Sequence, residues 1–209
     1  MKDVEDIIVG TSDGARIETY YLSQGPLAVL LCHGKAFDRD SFIEYGKTLA
    51  HKGYSVGILN FRGYGRSTIG SLGSEAIEED VAAVALELAK KGHGVVALGA
   101  SRGGGAVLRA VSADPSRYLG IVTWSTVLVD ASIAGSLGNI RKLFIVSAKE
   151  MMHDQTVFVY QHAPDPKILK EIPGTRHAQN IWNGPDRELI ESQVFEFLKT
   201  IPIRPEASL

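Results

Sequence analysis

Residues 99–103 read Gly-Ala-Ser-Arg-Gly, inside the stretch VVALGASRGGGAVLRA. A serine hydroxyl attacks a carbonyl only where a base takes its proton and something holds the resulting negative charge. The G-x-S-x-G spacing suits both needs. Gly99 and Gly103 leave room for a strained turn that lifts the Ser101 hydroxyl out of a sheet. The helix that follows aims its N-terminus at the same point, so the Arg102 N–H is the first candidate to hold an oxyanion. Neither G-x-x-x-x-G-K-[ST] nor G-x-G-x-x-G fits this segment, which argues against a phosphate cradle.

A base is needed next, and the chain has six histidines. His51 and His93 fall at helix ends or at the wrong edge of a sheet, and His153 and His162 lie in or beside a weak helical pattern. Only His33 and His177 directly follow predicted strands, and His177, in PGTRHAQNIW, is the expected base. His33, in CHGKAF, reads as a structural histidine in a loop whose backbone does the work. There the Lys35 N–H is the expected second oxyanion donor, with that of Ala36 as the alternative. An imidazole in this role also needs a carboxylate to fix its tautomer. LFIVSAKEMMHD offers Glu150 and Asp154. Glu150 leaves the strand at the shorter distance and is the expected acid, whereas Asp154 reads as the N-cap of QTVFVYQHA. Asp130 is a third, weaker candidate.

These groups need a frame that brings residues 33, 101, 150 and 177 to one edge. DIIVG and ARIETYYLS read as two strands of an antiparallel hairpin. LAVLLC, YSVGILNF, GVVALGA, YLGIVTWST, RKLFIVSA and PKILKEI read as further strands, several of them continuously apolar as in sheets buried on both faces. Between them lie helical patterns. In SFIEYGKTLAHKG, Ser41 and Glu44 have capping-box spacing and Phe42, Tyr45 and Leu49 share a face. In SEAIEEDVAAVALELAKKG, Ser74 is the expected cap and Ile77, Val81, Val84 and Leu88 form the apolar stripe. RGGGAVLRAVSA and DRELIESQVFEFLKT complete the set. Alternating strands and helices predict a mostly parallel sheet covered on both faces, with ligands bound beyond the carboxyl ends of its strands.

Composition narrows the function classes. The chain has 209 residues, 44% hydrophobic and 22% charged, with formal net charge −2. One domain spanning 1–209 is expected. The near-neutral balance gives no electrostatic footprint for nucleic acid or an anionic membrane. No apolar run is long enough to cross a bilayer. The single cysteine, Cys32, reads as a buried thiol; it leaves no internal disulfide, argues against zinc and makes the cytoplasm the default compartment.

The order serine, acid, histidine with G-x-S-x-G resembles the α/β-hydrolase superfamily. LLCHG, NFRGYGRS (Asn60 to Ser67) and LFIVSAKE before IPGTRH agree, and the resemblance runs from about Val29 to Phe197. It implies the family's fold and Ser101, Glu150 and His177 as its triad. Asn60, where many members have Asp, and a glutamate as acid are mild departures. Size and elbow are most similar to the dienelactone-hydrolase-like and small carboxylesterase branches.

Only VLVDASIAGSLGNI separates the strand ending in TWST from the next, room for one short helix rather than a lid. The site is expected to be open, covered by little beyond that segment, Phe37 and Trp124. The expected activity is cleavage of small or short-chain esters through an acyl-enzyme, without metal or cofactor, by a monomer or homodimer. Thioester, amide or peptide cleavage with the same residues is the alternative, and a non-catalytic binding protein on the same fold is the more distant one.

Overall fold

The computed structural model describes residues 4–202. Its strands are β1 (Glu5–Gly10), β2 (Arg16–Leu22), β3 (Leu27–Cys32), β4 (Ser55–Leu59), β5 (Gly94–Ala100), β6 (Gly120–Trp124), β7 (Arg141–Ser147) and β8 (Lys167–Ile172). They form one sheet in the order β1-β2-β4-β3-β5-β6-β7-β8. The β1–β2 and β2–β4 pairs are antiparallel. Every pair from β4 through β3, β5, β6 and β7 to β8 is parallel. The apolar runs read as central strands are central: every residue of β3, β4 and β6 is buried.

Among the described residues, six helices cover both faces: α1 (Ile43–His51), α2 (Ile77–Lys90), α3 (Arg102–Ala113), α4 (Ala131–Gly135), α5 (His153–His162) and α6 (Arg187–Lys199). α1 and α6 bring Tyr45, Leu49, Ile190 and Val194 onto Val29, Leu31, Val96 and Leu98 on one face. α2, α3 and α5 bring Val81, Leu88, Val107, Val111 and Val159 onto Leu30, Ala97 and Phe144 on the other. Alternation along a parallel strand sends successive side chains to these two layers. No described helix is long and apolar enough to cross a membrane. Between β6 and β7 there is only α4, so no lid stands over the sheet.

The helix starts differ from the sequence expectation. α1 begins after a 3-10 turn, Arg39–Phe42, whose cap is Asp38, with its carboxylate accepting the Ser41 N–H. The Ser41–Glu44 box does not form, because the Ser41 hydroxyl turns back to the Asp38 carbonyl and Glu44 pairs with Lys47. α2 begins at Ile77, past Ser74, with no side-chain cap. α5 begins at His153, two residues early for Asp154 to cap it, and the Asp154 carboxylate bonds the His153 ring instead.

The loop after β4 is locked by charge. Arg62, with a fully buried side chain, donates through Nε to Asp80 of α2 at 2.9 Å and through a terminal nitrogen to Asp13 of the β1–β2 turn at 2.9 Å. The Arg62 hydrogen bonds hold the Asp13 carboxyl well below the usual carboxylate range. This cluster fixes the side of the molecule next to the candidate site without entering it.

Candidate active site

β5 ends at Ala100, and Ser101 follows with φ 52° and ψ −117° before α3 starts. A Cβ on Gly99 would lie 2.4 Å from the Gly103 carbonyl oxygen, and one on Gly103 would lie 2.3 Å from that of Cys32. The turn therefore closes only with glycine at both positions, which is the physical content of the motif. The Ser101 carbonyl accepts from Gly105 and Val127, and its N–H donates to the Trp124 carbonyl. The backbone is thus held, which leaves the hydroxyl to meet a side chain from another loop.

The structure brings three of the singled-out side chains into one line. His177 Nε2 lies 2.9 Å from Ser101 Oγ. The other ring nitrogen, Nδ1, lies 2.5 Å from Glu150 Oε2. The Glu150 side chain is 1% exposed and that of His177 is 30% exposed, so the carboxylate is dry and the imidazole is partly open to water. Asp154 and Asp130 take no part. Asp154 is fully exposed on α5, and Asp130 precedes α4 at the surface.

Ser125 joins this cluster, and sequence reasoning did not single it out. It is fully buried, and its hydroxyl donates to Glu150 Oε1, which also accepts the Ser147 N–H at 3.2 Å. The same hydroxyl accepts the Ala178 N–H at 3.2 Å, next to His177. Ser125 so ties Glu150 to the segment that carries His177. Among the described residues, the non-glycine residues with positive φ are Ser101, Ser125 and Ala178. Each such conformation costs about 1–3 kcal/mol, and all three meet at this one cluster.

The loop after β3 supplies backbone. His33 is 1% exposed; its Nδ1–H donates to the Gly34 carbonyl at 2.9 Å, and Nε2 accepts the Phe61 N–H at 3.2 Å. Burial pushes this imidazole down to about 4, so it is neutral at physiological pH and structural, as the sequence suggested. The Gly34 carbonyl also accepts the Phe37 N–H at 3.1 Å. Because a trans peptide is planar, pinning that carbonyl sets the opposite direction of the Lys35 N–H. Tyr64 donates to the Lys35 carbonyl at 2.8 Å and pins the next peptide, which carries the Ala36 N–H. Gly34 lies against Ser101: a Cβ there would be 3.4 Å from Ser101 Cβ.

Trp124 does not cover the opening. It is wholly buried, with its ring 5.8 Å from Phe42 and 5.0 Å from Tyr45, because β6 directs it into the α1 layer. Phe37 is only partly buried, against that same layer. The exposed apolar side chains nearest in sequence to the cluster are Leu128, three residues past Ser125, and Met151, next to Glu150. Cys32 is fully buried, and burial raises its thiol well above the usual range.

The fold is similar to that of the alpha/beta hydrolase GrgF from Penicillium sp. sh18, with TM-score 0.83 and 14% identity over 96% of this chain and 99% of that one. It is also similar to the Pyrococcus furiosus esterase Pf2001, with TM-score 0.80 and 16% identity over 94% and 92%. The esterase RhEst1 from Rhodococcus sp. ECU1013 superposes with TM-score 0.75 and 15% identity over 94% and 99%. At these identities the likeness is one of fold. In sequence, 65 residues are 40% identical to an uncharacterized protein of Mycobacterium tuberculosis strain H37Rv. That match spans 29% of this chain and only 23% of the relative's length. The alpha/beta hydrolase fold family matches residues 28–155, well over half of the chain. A chain with this match and this sheet belongs to the alpha/beta hydrolase fold family.

Proposed function

We propose that this protein is a serine hydrolase that cleaves small or short-chain carboxylic esters, working as one domain over 1–209. The observation that carries the reading is the single imidazole of His177, which joins the hydroxyl of a backbone-strained serine to a buried carboxylate. Fold family and esterase neighbours support a hydrolase in general.

In this reading, His177 Nε2 accepts the Ser101 proton as Oγ attacks the ester carbonyl carbon. The N–H groups of Arg102 and Lys35 hold the oxyanion of the tetrahedral intermediate. The imidazolium, stabilised by Glu150, passes its proton to the leaving alcohol as the C–O bond breaks. Water then enters, gives its proton to His177 and attacks the acyl-enzyme; Ser101 recovers a proton as the acid leaves. Glu150 is held in place by Ser125, Ser147 and His177. The absence of a lid in the segment between β6 and β7 supports small acyl groups, since Leu128 and Met151 offer limited apolar surface.

The test is hydrolysis of nitrophenyl esters of increasing chain length by wild type and Ser101→Ala. Acetyl and butyryl esters are expected to be cleaved best. Turnover is expected to fall by about 10⁶-fold in the variant, the scale seen when such a serine is removed. Melting temperature should hold, because the hydroxyl fills no core space. A fully active variant ends the proposal; a maximum at decanoyl esters or longer ends its substrate class.

A further inference from the structure

Gln179 is 1% exposed and lies two residues past His177, on a 3-10 turn spanning Ala178–Asn180. A buried amide must find partners, and this one finds them across the molecule. Its Oε1 accepts the Gly34 N–H at 3.4 Å, and its Nε2 donates to Ser41 Oγ at 3.1 Å. The Ser41 hydroxyl is itself anchored on the Asp38 carbonyl. A Cβ placed on Gly34 would sit 3.3 Å from Gln179 Oε1 and 3.4 Å from Ser101 Cβ, so the amide lies close beside the nucleophile.

We propose that Gln179 is a positioning residue that ties the segment carrying the base to the loop carrying the second oxyanion donor. This rests on the function proposed above. The argument turns on Gly34. Glycine has no Cβ to limit φ and ψ, so its two flanking peptides need outside restraint. The peptide after it is held through its carbonyl by His33 and Phe37. The peptide before it is held through its N–H by Gln179, the one side-chain partner that N–H has among the described residues. With both peptides fixed, the Lys35 N–H has one direction. Without Gln179, the His33–Gly34 peptide loses its N–H restraint, and the loop that carries the Lys35 donor is held on one side only. The same side chain grips Ser41, so the loop is fixed at both ends against the turn that follows His177. Base and oxyanion donor are thereby held at a set distance from each other.

The test compares Gln179→Met, which keeps the bulk and removes both hydrogen bonds, with Ser41→Ala and the double variant. In Gln179→Met, kcat for nitrophenyl acetate is expected to fall by roughly 10- to 100-fold, short of the roughly 10²–10³-fold seen when an oxyanion donor is removed outright. KM should stay within about threefold. A trifluoromethyl ketone, whose hemiketal oxyanion takes the same donors, should bind more weakly by the factor lost in kcat/KM. The shape of the pH–kcat curve should not change, because the contacts among Ser101, His177 and Glu150 do not involve the amide. Ser41→Ala should show a smaller loss of the same kind, and the two losses should not add, since both act through one amide. Unchanged kcat and ketone affinity in a folded Gln179→Met overturn the proposal, as does a displaced pH limb, which would place the effect on the base. If Gln179→Met does not fold, Ser41→Ala decides by the same two readouts. Wild type without Ser101-dependent turnover would end the hydrolase reading, and this inference with it, and the Ser101→Ala control reads that outcome separately.

Discussion

Two histidines of this molecule touch a glutamate at the same distance. His177 Nδ1 lies 2.5 Å from Glu150, and His153 Nε2 lies 2.5 Å from Glu171. The surroundings differ in every other respect. Glu150 is 1% exposed in its side chain, whereas Glu171 is 51% exposed and Asp154, on the other His153 nitrogen, is fully exposed. The free nitrogen of His177 meets a serine hydroxyl, whereas that of His153 meets a second carboxylate. Three strained residues frame the first pair, and none the second. A histidine–carboxylate contact is therefore not a site. A dry carboxylate, a serine hydroxyl on the far nitrogen and backbone strain together set one pair apart.

The largest effect that separates the pairs is kinetic. Glu150→Gln should lower kcat by about 10⁴-fold, the scale for loss of such an acid with geometry intact. Glu171→Gln should leave ester hydrolysis within about twofold. Equal losses in the two variants would mean that both pairs, or neither, serve the reaction. A smaller effect is expected at Ser125→Ala. That change leaves the Ala178 N–H without its acceptor and Glu150 without one donor, at about 1–3 kcal/mol for the buried group left unpaired. Turnover should fall by roughly 10- to 100-fold, far less than for Glu150→Gln; a loss as large as that one would move Ser125 from support to chemistry.

A third histidine sharpens the contrast through pH. His33 touches no carboxylate, and burial holds it near 4 against an ordinary value of 6.5. Its native form resists protonation, so the unfolded state binds more protons between these values. Stability from this residue is present above about 6.5 and is lost as pH falls towards 4, at most about 3 kcal/mol in all. Urea unfolding of wild type and His33→Gln at pH 7 and pH 4 measures it. The variant should lose less stability on acidification, and an identical loss in both would remove His33 as the cause.

The elements were legible where burial is two-sided. LAVLLC and GVVALGA are continuous apolar runs, and they are the adjacent central strands β3 and β5. Ser101, Glu150 and His177, whose side chains meet in the structure, could be singled out because each follows a strand at the carboxyl edge. Helix caps were not legible, since a serine or aspartate near a helix start has competing partners: Ser41 takes the Asp38 carbonyl and the Gln179 amide, and Asp154 takes a histidine. Ser125 and Gln179 were invisible for a related reason. Their partners are 25, 53, 138 and 145 residues away, and the Ser125 geometry needs a positive φ that no propensity announces. Trp124 was placed over the opening because a strand buried on both faces does not disclose which layer a given side chain enters.

The smallest expected effect is at Asp154. Its carboxylate helps to hold the His153 imidazole above its ordinary value, after Glu171, the larger cause. A raised value means that the native state binds the proton more tightly. The stability it contributes is full below the unfolded value near 6.5 and is lost as pH rises through the native value. Asp154→Asn removes the lesser of the two partners. Because the carboxylate is wholly in water, the pair contributes little, and salt should screen it further. The His153 titration, followed by NMR, should therefore move down towards 6.5. Melting temperature at pH 6 should fall slightly and at pH 9 not at all. No loss of helix capping adds to this, since the Asp154 carboxylate bonds a ring nitrogen and α5 starts before it. Ester hydrolysis should be unchanged, because neither His153 nor Asp154 contacts Ser101, Glu150 or His177 through a side chain. If instead Asp154→Asn were inactive while Glu150→Gln kept turning over, burial would be the wrong criterion for telling the two histidine–carboxylate pairs apart.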